Sequence, residues 1–569
     1  MKMSSKYLIL PLFLAFLPYY GYSQLLNKKE EYTKQDTLRG SINTERDWWN
    51  VVNYNIDITP DYLSKTIAGS CAIEFDITRS GSDKKMQIDL QQPLIIDSIL
   101  FLNNKISSYK QEENICLINF NDFNFTPAQD ALQRKHPVKL YKLKIYYHGK
   151  PVEAVRPPWD GGWIWEKDEL GRPWMTVACQ GLGASVWYPC KDHQSDEPDK
   201  GATISITVPD TFSAVANGRL DDKKTNPNGT TTWTWKIVNP INNYNIVPYI
   251  GKYAQWTENY IGETEKNLAL DFWVLDYNID KAKKQFGRDV KQMLKAFENW
   301  FGPYPFYEDG YKLVESPHLG MEHQSAVAYG NHYLDGYLGR DLSGSGWGLK
   351  WDFIIIHESG HEWFGNNITT KDIADMWVHE GFTQYSEVLF TESLYGKKAA
   401  DEYAQGLRLG IRNDIPIIGS YGVNKEGSGD MYNKGANIVH MIRQIINNDT
   451  RFREILRGLN RDYYHRTVTT KEVEDYIITK SGINLSKLFD QYLRTIQVPI
   501  LEYKISGKTL SYRWANCING FNMPVFFSCG NTRVKISPTE NWKKTTYASW
   551  FNEKKFQVDK NFYIKTKKK

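Results

Sequence analysis

The sequence predicts an α+β chain of several domains, and three observations carry that prediction. Up to about residue 255, apolar residues alternate with polar ones. From 256 to 499 they recur at helical spacing, and from 500 to 569 alternation returns. At 569 residues the chain is too long for a single core. Its composition, 41% hydrophobic and 24% charged, is that of a folded protein, and its 36 Tyr and 19 Trp suit grooves that hold peptides or sugars. The formal net charge is +4, and Lys2 and Lys6 supply two of those charges. Nothing in that balance points to a nucleic-acid or membrane-surface partner.

Residues 1–23 read as a secretory signal peptide. Lys2 and Lys6 form a basic start, Tyr7 to Leu17 is a short apolar run, and Gly21-Tyr22-Ser23 offers a cleavage site before Gln24. An uncleaved anchor is the alternative. No other run approaches eighteen apolar residues, so a soluble exported protein, periplasmic or secreted, is expected, with no membrane anchor after cleavage. Six cysteines, Cys71, Cys116, Cys179, Cys190, Cys517 and Cys529, permit disulfides in that setting. Cys517 and Cys529 could close a small loop; isolated buried thiols are the other reading.

Residues 40–255 read as an N-terminal β domain of stacked sheets. Tyr54, Ile56 and Ile58 alternate with polar residues before a turn at Thr59-Pro60-Asp61. Ile73 to Ile77, Met86 to Leu90, Ile204 to Val208 and Trp233 to Ile237 alternate likewise. Asn121 to His136 is a polar loop. Trp159 to Trp165 is either a glycine-hinged aromatic cover for a groove or a buried tryptophan cluster.

Residues 256–499 read as a mainly helical domain. Asp280 to Phe301 has helical spacing and stops at Gly302-Pro303; Trp377 to Tyr395 and Asn437 to Ile446 follow, and Tyr311 to Val314 is a short strand. Residues 500–569 suffice for a small β domain, in which Lys565 to Lys569 reads as a solvated tail.

At the centre of the helical region stands His357-Glu358-Ser359-Gly360-His361, followed after eighteen residues by Glu380. On a helix, histidines at i and i+4 share one face and can reach one zinc ion. Glu380 is the third candidate ligand, and three protein ligands leave the open position of a catalytic site. A chance match on a surface helix is the competing reading. Ile354 to Ile356 before the motif and Trp363-Phe364-Gly365 after it argue instead for a buried helix, whose polar side chains need a partner.

The surrounding stretches resemble the aminopeptidase N family of gluzincin zinc metallopeptidases. His361-Glu362-Trp363-Phe364-Gly365-Asn366 and Val378-His379-Glu380-Gly381-Phe382 are similar to its zinc motifs. Leu319-Gly320-Met321-Glu322-His323 is similar to its GxMEN motif, and Tyr432-Asn433-Lys434-Gly435-Ala436 to its YxKGA motif. Cys179-Gln180-Gly181 and Trp187 to Asp192 are similar to its glutamine loop and FPCxDEP stretch. The likeness spans roughly residues 48 to 500. It departs from the family at Leu319, His323 and His379, the two histidines being packing or supporting residues rather than further ligands.

The resemblance implies a saddle-like N-terminal β domain, a thermolysin-like catalytic domain and a small C-terminal β domain. It implies one Zn(2+) per chain on His357, His361 and Glu380, with Glu358 as general base toward metal-bound water and Tyr432 as donor to the oxyanion. Glu322 and Gln180 would hold the free amine of a peptide, and Gly320 and Met321 would line the substrate; a monomer is expected. Glu387, seven residues past Glu380, either orients a ligand histidine or is solvated. The short remainder after residue 500 leads to the expectation of an open site that accepts longer peptides. A thermolysin-like endopeptidase, an epoxide hydrolase on the same site and a non-catalytic exported binding protein are the rivals.

Overall fold

The computed structural model describes residues 32–79, 84–126 and 139–569. The leader and the stretch from 127 to 136 lie outside the described residues. Among the described residues no helix is long and apolar enough to cross a membrane.

A short helix, α1 (Lys34–Gly40), opens the described chain. An eight-stranded sheet follows, in the order Arg219–Asn226, Thr230–Ile237, Ala202–Pro209, Trp49–Asp61, Thr66–Ile77, Tyr141–Gly149, Ile95–Phe101 and Asn104–Ile106. All of its pairings are antiparallel except that of Trp49–Asp61 with Ala202–Pro209. Tyr54, Ile56 and Ile58 turn inward and Asn55 and Asp57 outward, the alternation of a sheet with one buried face. The strand runs on through Pro60, which pairs with Ile67 next to the hairpin end, so the turn comes after Asp61 and not at it. Proline is tolerated there because few ladder bonds remain to be lost.

A four-stranded sheet, Ser213–Val215, Tyr249–Gly251, Pro173–Ala178 and Gly162–Lys167, packs on the same core. Its last strand contains the glycine-rich tryptophan segment. Trp163 and Trp165 are buried, and Trp163 lies 5.1 Å from Trp165 and 6.3 Å from Trp187, ring to ring. That segment is a core strand, not a cover over a groove; only Trp159, ahead of it, is exposed.

The helical region begins with a five-stranded sheet in the order Tyr253–Ile261, Asn267–Leu275, Tyr311–Glu315, Val327–Tyr329 and Gly320–Met321. Its helices are α2 (Ile279–Phe301), α3 (Phe353–Gly360), α4 (Trp377–Tyr395), α5 (Lys397–Gly406), α6 (Asn433–Ile446), α7 (Asp449–Asp462), α8 (Thr470–Ser481) and α9 (Ser486–Arg494). Phe286, Val290, Met293, Leu294, Phe297 and Phe301 of α2 form the apolar stripe read from the sequence. α6 begins four residues earlier than its apolar spacing suggested, which puts Tyr432 at its N-terminal boundary.

Strands from Ile500 to Lys568 form two small sheets, and Leu501, Trp514, Phe527 and Phe562 join the core of the helices. The terminal lysines are not a tail. Lys565–Lys568 is an edge strand parallel to Ile500–Ser506, and Lys569 reaches Glu502 at 2.8 Å. Exposed lysines on such an edge discourage pairing with other chains. All six cysteines are free thiols. The Cys529 thiol sits on the backbone of Asn552, whose N–H approaches it to 3.1 Å, rather than facing Cys517.

Candidate metal centre and amine site

α3 is short and buried on every side. Asp352 caps it, accepting from the N–H groups of Ile354 and Ile355 at 3.1 and 3.4 Å. Ile354, Ile355 and Ile356 anchor it in the core and aim His357 and His361 at α4. There the Nε2 atoms of His357 and His361 lie 3.7 and 3.4 Å from Oε2 of Glu380. All three side chains are buried, and their ligating atoms fall within 4.8 Å of one another.

The other ring nitrogens are already committed. His357 Nδ1 pairs with Oε1 of Glu387 at 2.7 Å, and His361 Nδ1 donates to the Phe364 carbonyl at 3.0 Å. Each bond fixes a tautomer with the Nε2 lone pair facing Glu380. Oε2 of Glu380 is buried and lacks a hydrogen-bond partner. A buried, unpartnered carboxylate oxygen between two imidazole lone pairs is the environment a divalent cation completes, so the donor set fits zinc.

Glu387 is fully buried rather than solvated. Its second oxygen accepts from Gln384 and from the Tyr403 hydroxyl, each at 2.6 Å. His379 is buried and accepts the Thr370 N–H at Nε2, 2.8 Å away; burial pushes it down to about 3. The hydroxyl of Tyr249 donates to the Ala326 carbonyl and takes up Nδ1 of His323 at 2.5 Å. Neither histidine belongs to the cluster of ligating atoms around Glu380.

A second cluster adjoins the first: Glu322, Glu358 and His361 also have ligating atoms within 4.8 Å of one another. Burial and the charge of Glu322 push Glu358 up to about 7, although His357 and His361 oppose them. Glu322 lies just past the edge strand Gly320–Met321 and is 3% exposed. Its Oε1 accepts from Gln180 Nε2 at 2.6 Å and from the Tyr244 hydroxyl at 2.8 Å, and Asn366 holds its backbone carbonyl at 2.8 Å. Burial, with Glu380 adding, raises this carboxyl. A side chain at Gly320 would come within 2.8 Å of Glu358 Oε1 and of the Ile354 side chain, so the close approach served by this glycine is to the carboxylate of Glu358. Met321 is buried in the core beneath the strand.

Tyr432 closes the opposite side. Its ring stacks on His357 with centroids 6.0 Å apart. Burial and the carboxylates of Glu380, Glu426, Glu322 and Glu358 raise the phenol well above its ordinary value, so it remains a donor. Its position depends on the crossing of α4 and α6 at Gly381 and Gly435; a Cβ on Gly435 would stand 2.8 Å from Gly381 Cα.

The three candidate ligands, Glu358, Glu322, Gln180 and Tyr432 thus converge on one place. Sequence reasoning did not find Tyr244, Gln384 or Tyr403, which occur in no recognisable pattern. Asn366 was within a quoted motif but carried no assigned task.

A metal centre of two histidines and a glutamate, set between a β-rich N-terminal region and a helical one, with a second buried carboxylate beside it, defines the fold and site of the M1 zinc metallopeptidases. Family models agree: that described as the peptidase family M1 domain matches residues 287–492, and that for the peptidase M1 N-terminal domain matches residues 50–244. Together they cover more than half of the chain, and the chain belongs to peptidase family M1. Human aminopeptidase B is 23% identical over 334 residues, covering 56% of this chain and 48% of that protein. Aminopeptidase M1 of Arabidopsis thaliana is 22% identical over 505 residues, covering 84% of this chain and 54% of that one. The chain thus spans about half the length of the curated relatives it matches. An M1 zinc metallopeptidase mutant from Deinococcus radiodurans, solved with a Tyr-Ser-Ala substrate, superposes with a TM-score of 0.66 at 20% identity, covering 81% of this chain and 98% of that chain. This likeness is one of fold.

Proposed function

We propose that the protein is an exported zinc aminopeptidase, active as a monomer with one zinc per chain, that removes the first residue from peptides with a free N-terminus. One observation carries the reading: the buried Glu322 carboxylate, held by Gln180 and Tyr244, within 4.8 Å of the ligating atoms of Glu358 and His361. His357, His361 and Glu380 would hold the metal. Zinc, when bound, supplies a Lewis acid and an acidified water at its open position.

Glu358 takes the proton from the attacking water and returns it to the leaving amine. Burial and the nearby Glu322 charge raise its affinity for protons, the direction a group that both takes up and returns a proton needs. The Tyr432 phenol donates to the oxyanion that develops on the scissile carbonyl. Glu322 accepts a charge-assisted hydrogen bond from the α-ammonium, with the Gln180 carbonyl as a neutral second contact. A blocked or internal peptide leaves this buried charge with only the neutral donors Gln180 and Tyr244 and no cationic partner, which costs several kcal/mol and confines cleavage to the first residue.

Aminoacyl chromogenic substrates, free and N-acetylated, test this on wild type and Glu322→Gln. The free form alone should be cleaved, and Glu322→Gln should lose about a hundredfold in kcat/KM while keeping zinc, the loss of roughly 3 kcal/mol of charged pairing. Equal cleavage of free and acetylated substrates would refute the reading in favour of an endopeptidase. Purified protein that takes up no zinc and stays inactive would refute it in favour of a binding protein.

A further inference from the structure

α1 contradicts the usual reason for a helix to fold. Its seven residues include none that is buried, so no apolar face holds it in place. A capping box closes its start: Thr33 accepts from the Asp36 N–H at 3.1 Å, and Asp36 accepts from the Thr33 N–H at 2.8 Å. The rest of what holds it is polar or backbone contact: Gln35 reaches Glu113, the Leu38 and Gly40 carbonyls meet Gln87 and His193 at 3.4 and 3.3 Å, and two loops grip it on either side. On one side the Asn424 N–H donates to the Asp36 carbonyl at 2.9 Å. A Cβ on Gly40 would stand 2.2 Å from the Val423 carbonyl carbon, so the two backbones touch. On the other side Arg39 donates to the carbonyl of Gln180 at 3.2 Å and to that of Gly181. Asn424 Nδ2 donates to the same Gly181 carbonyl at 3.1 Å.

Arg39 is itself held. Its Nε lies 3.4 Å from Asp192, which also accepts from the Ser185 hydroxyl at 2.6 Å, and Arg46 donates to the Arg39 carbonyl at 3.0 Å. Gln180 is the residue whose amide rests on Glu322 at 2.6 Å. The guanidinium therefore grips the backbone of the residue whose side chain joins this loop to Glu322. Arg39 lies ahead of residues 50–244, where the N-terminal family model matches.

We propose that Arg39 is a positioning residue for the amine end of the substrate, with α1 acting as a strap that fixes the Gln180-Gly181 loop so that the Gln180 amide stays on Glu322. The inference rests on the aminopeptidase reading, because it is the bound ammonium that feels the placement of Gln180. Freeing the loop weakens binding of the amine and leaves Glu358, Tyr432 and the metal ligands in place. KM should therefore change and kcat should not.

The test compares wild type, Arg39→Ala, Arg39→Lys and Asn424→Ala as full-length zinc enzymes on a free aminoacyl chromogenic substrate. Expected are a roughly tenfold rise in KM for Arg39→Ala with kcat within about twofold, partial recovery in Arg39→Lys, and a smaller rise in Asn424→Ala, as for loss of one hydrogen bond. Hydrogen exchange over residues 179–183 should quicken in Arg39→Ala, with zinc content unchanged. Unchanged KM in Arg39→Ala, or a fall in kcat alone, overturns the proposal. Should Arg39→Ala fail to fold, an unchanged KM in Asn424→Ala overturns it. Wild-type cleavage of free and acetylated substrates alike would sink the aminopeptidase reading instead.

Discussion

Glu387→Gln isolates what the buried acid behind His357 does for the metal centre. In the protein, three donors meet the two Glu387 oxygens: His357 Nδ1 at 2.7 Å, Gln384 Nε2 at 2.6 Å and the Tyr403 hydroxyl at 2.6 Å. An amide keeps one acceptor and brings two hydrogens. If its carbonyl stays on His357, the tautomer is kept and a charged hydrogen bond becomes a neutral one, a loss of about 1 to 1.5 kcal/mol. That is roughly tenfold in zinc affinity, at the low end of what such supporting carboxylates contribute. If the amide turns the other way, its hydrogens force Nδ1 to accept. The proton then sits on Nε2, where the ligand lone pair should face Glu380, and the loss is greater. Competition against a chelating dye gives the zinc affinity, and the melting temperature of the metal-free protein shows whether the fold has suffered. Zinc affinity within about twofold of wild type would refute the reasoning, since loss of a supporting carboxylate is expected to cost about tenfold or more. So would a weakened affinity accompanied by an equally weakened metal-free fold.

Tyr432→Phe removes a donor and little volume; kcat should fall by about 10²- to 10³-fold with KM and zinc content near wild type, as steady-state kinetics with metal analysis will show. A raised KM at unchanged kcat would make the phenol a binding group instead. Lys312 is buried on the central strand of the five-stranded sheet and donates to the Gly218 carbonyl; burial pushes it from 10.5 down to about 8. Between those values the unfolded chain holds the proton and the folded one does not, so this group makes stability rise with pH, by about 3 kcal/mol in all. Lys312→Met should flatten that rise, as denaturant titrations at pH 8 and pH 10.5 will show, and an unchanged rise would refute the assignment.

How much of this was legible in the sequence depends on how local each feature is. The candidate ligands lie on α3, its C-terminal boundary and α4, and helical periodicity alone predicts that His357 and His361 share a face. Glu387 follows Glu380 by two turns of the same helix, yet spacing could not decide between burial and solvent; what decides is Tyr403 on α5, which closes over it. The strands of the N-terminal sheets were legible as strands, but not their partners. Tyr253–Ile261 and Asn267–Leu275 fell largely in the stretch read as mainly helical; they form an antiparallel pair whose second strand joins Tyr311–Glu315 and not the N-terminal sheets. The tryptophan segment left two readings open because glycine next to aromatics suits a loop or a strand; Gly162 begins a strand whose tryptophans face the core, the buried-cluster reading. The terminal lysines misled because charge was read as solvation, and an exposed edge strand satisfies both.

The amine side is of another kind. Glu322, Gln180 and Tyr244 come from three segments, and Gln180 and Tyr244 reach Glu322 across 142 and 78 residues of chain. No periodicity links them, so resemblance named the first two and only the folded structure named the third. Arg39, a further 141 residues from Gln180, extends the same construction outward. Two kinds of failure follow from the two kinds of construction. The metal-binding half rests on helices buried in one core, so loss of a packing side chain there should reach stability and zinc together, whereas Glu387→Gln keeps the packing and should reach zinc alone. The amine half rests on loops joined by side-chain bonds, so it can loosen while the core and the metal site stay intact. The split between KM and kcat expected at Arg39 therefore follows from how the site is built, and would not be expected for a residue placed behind the zinc helix.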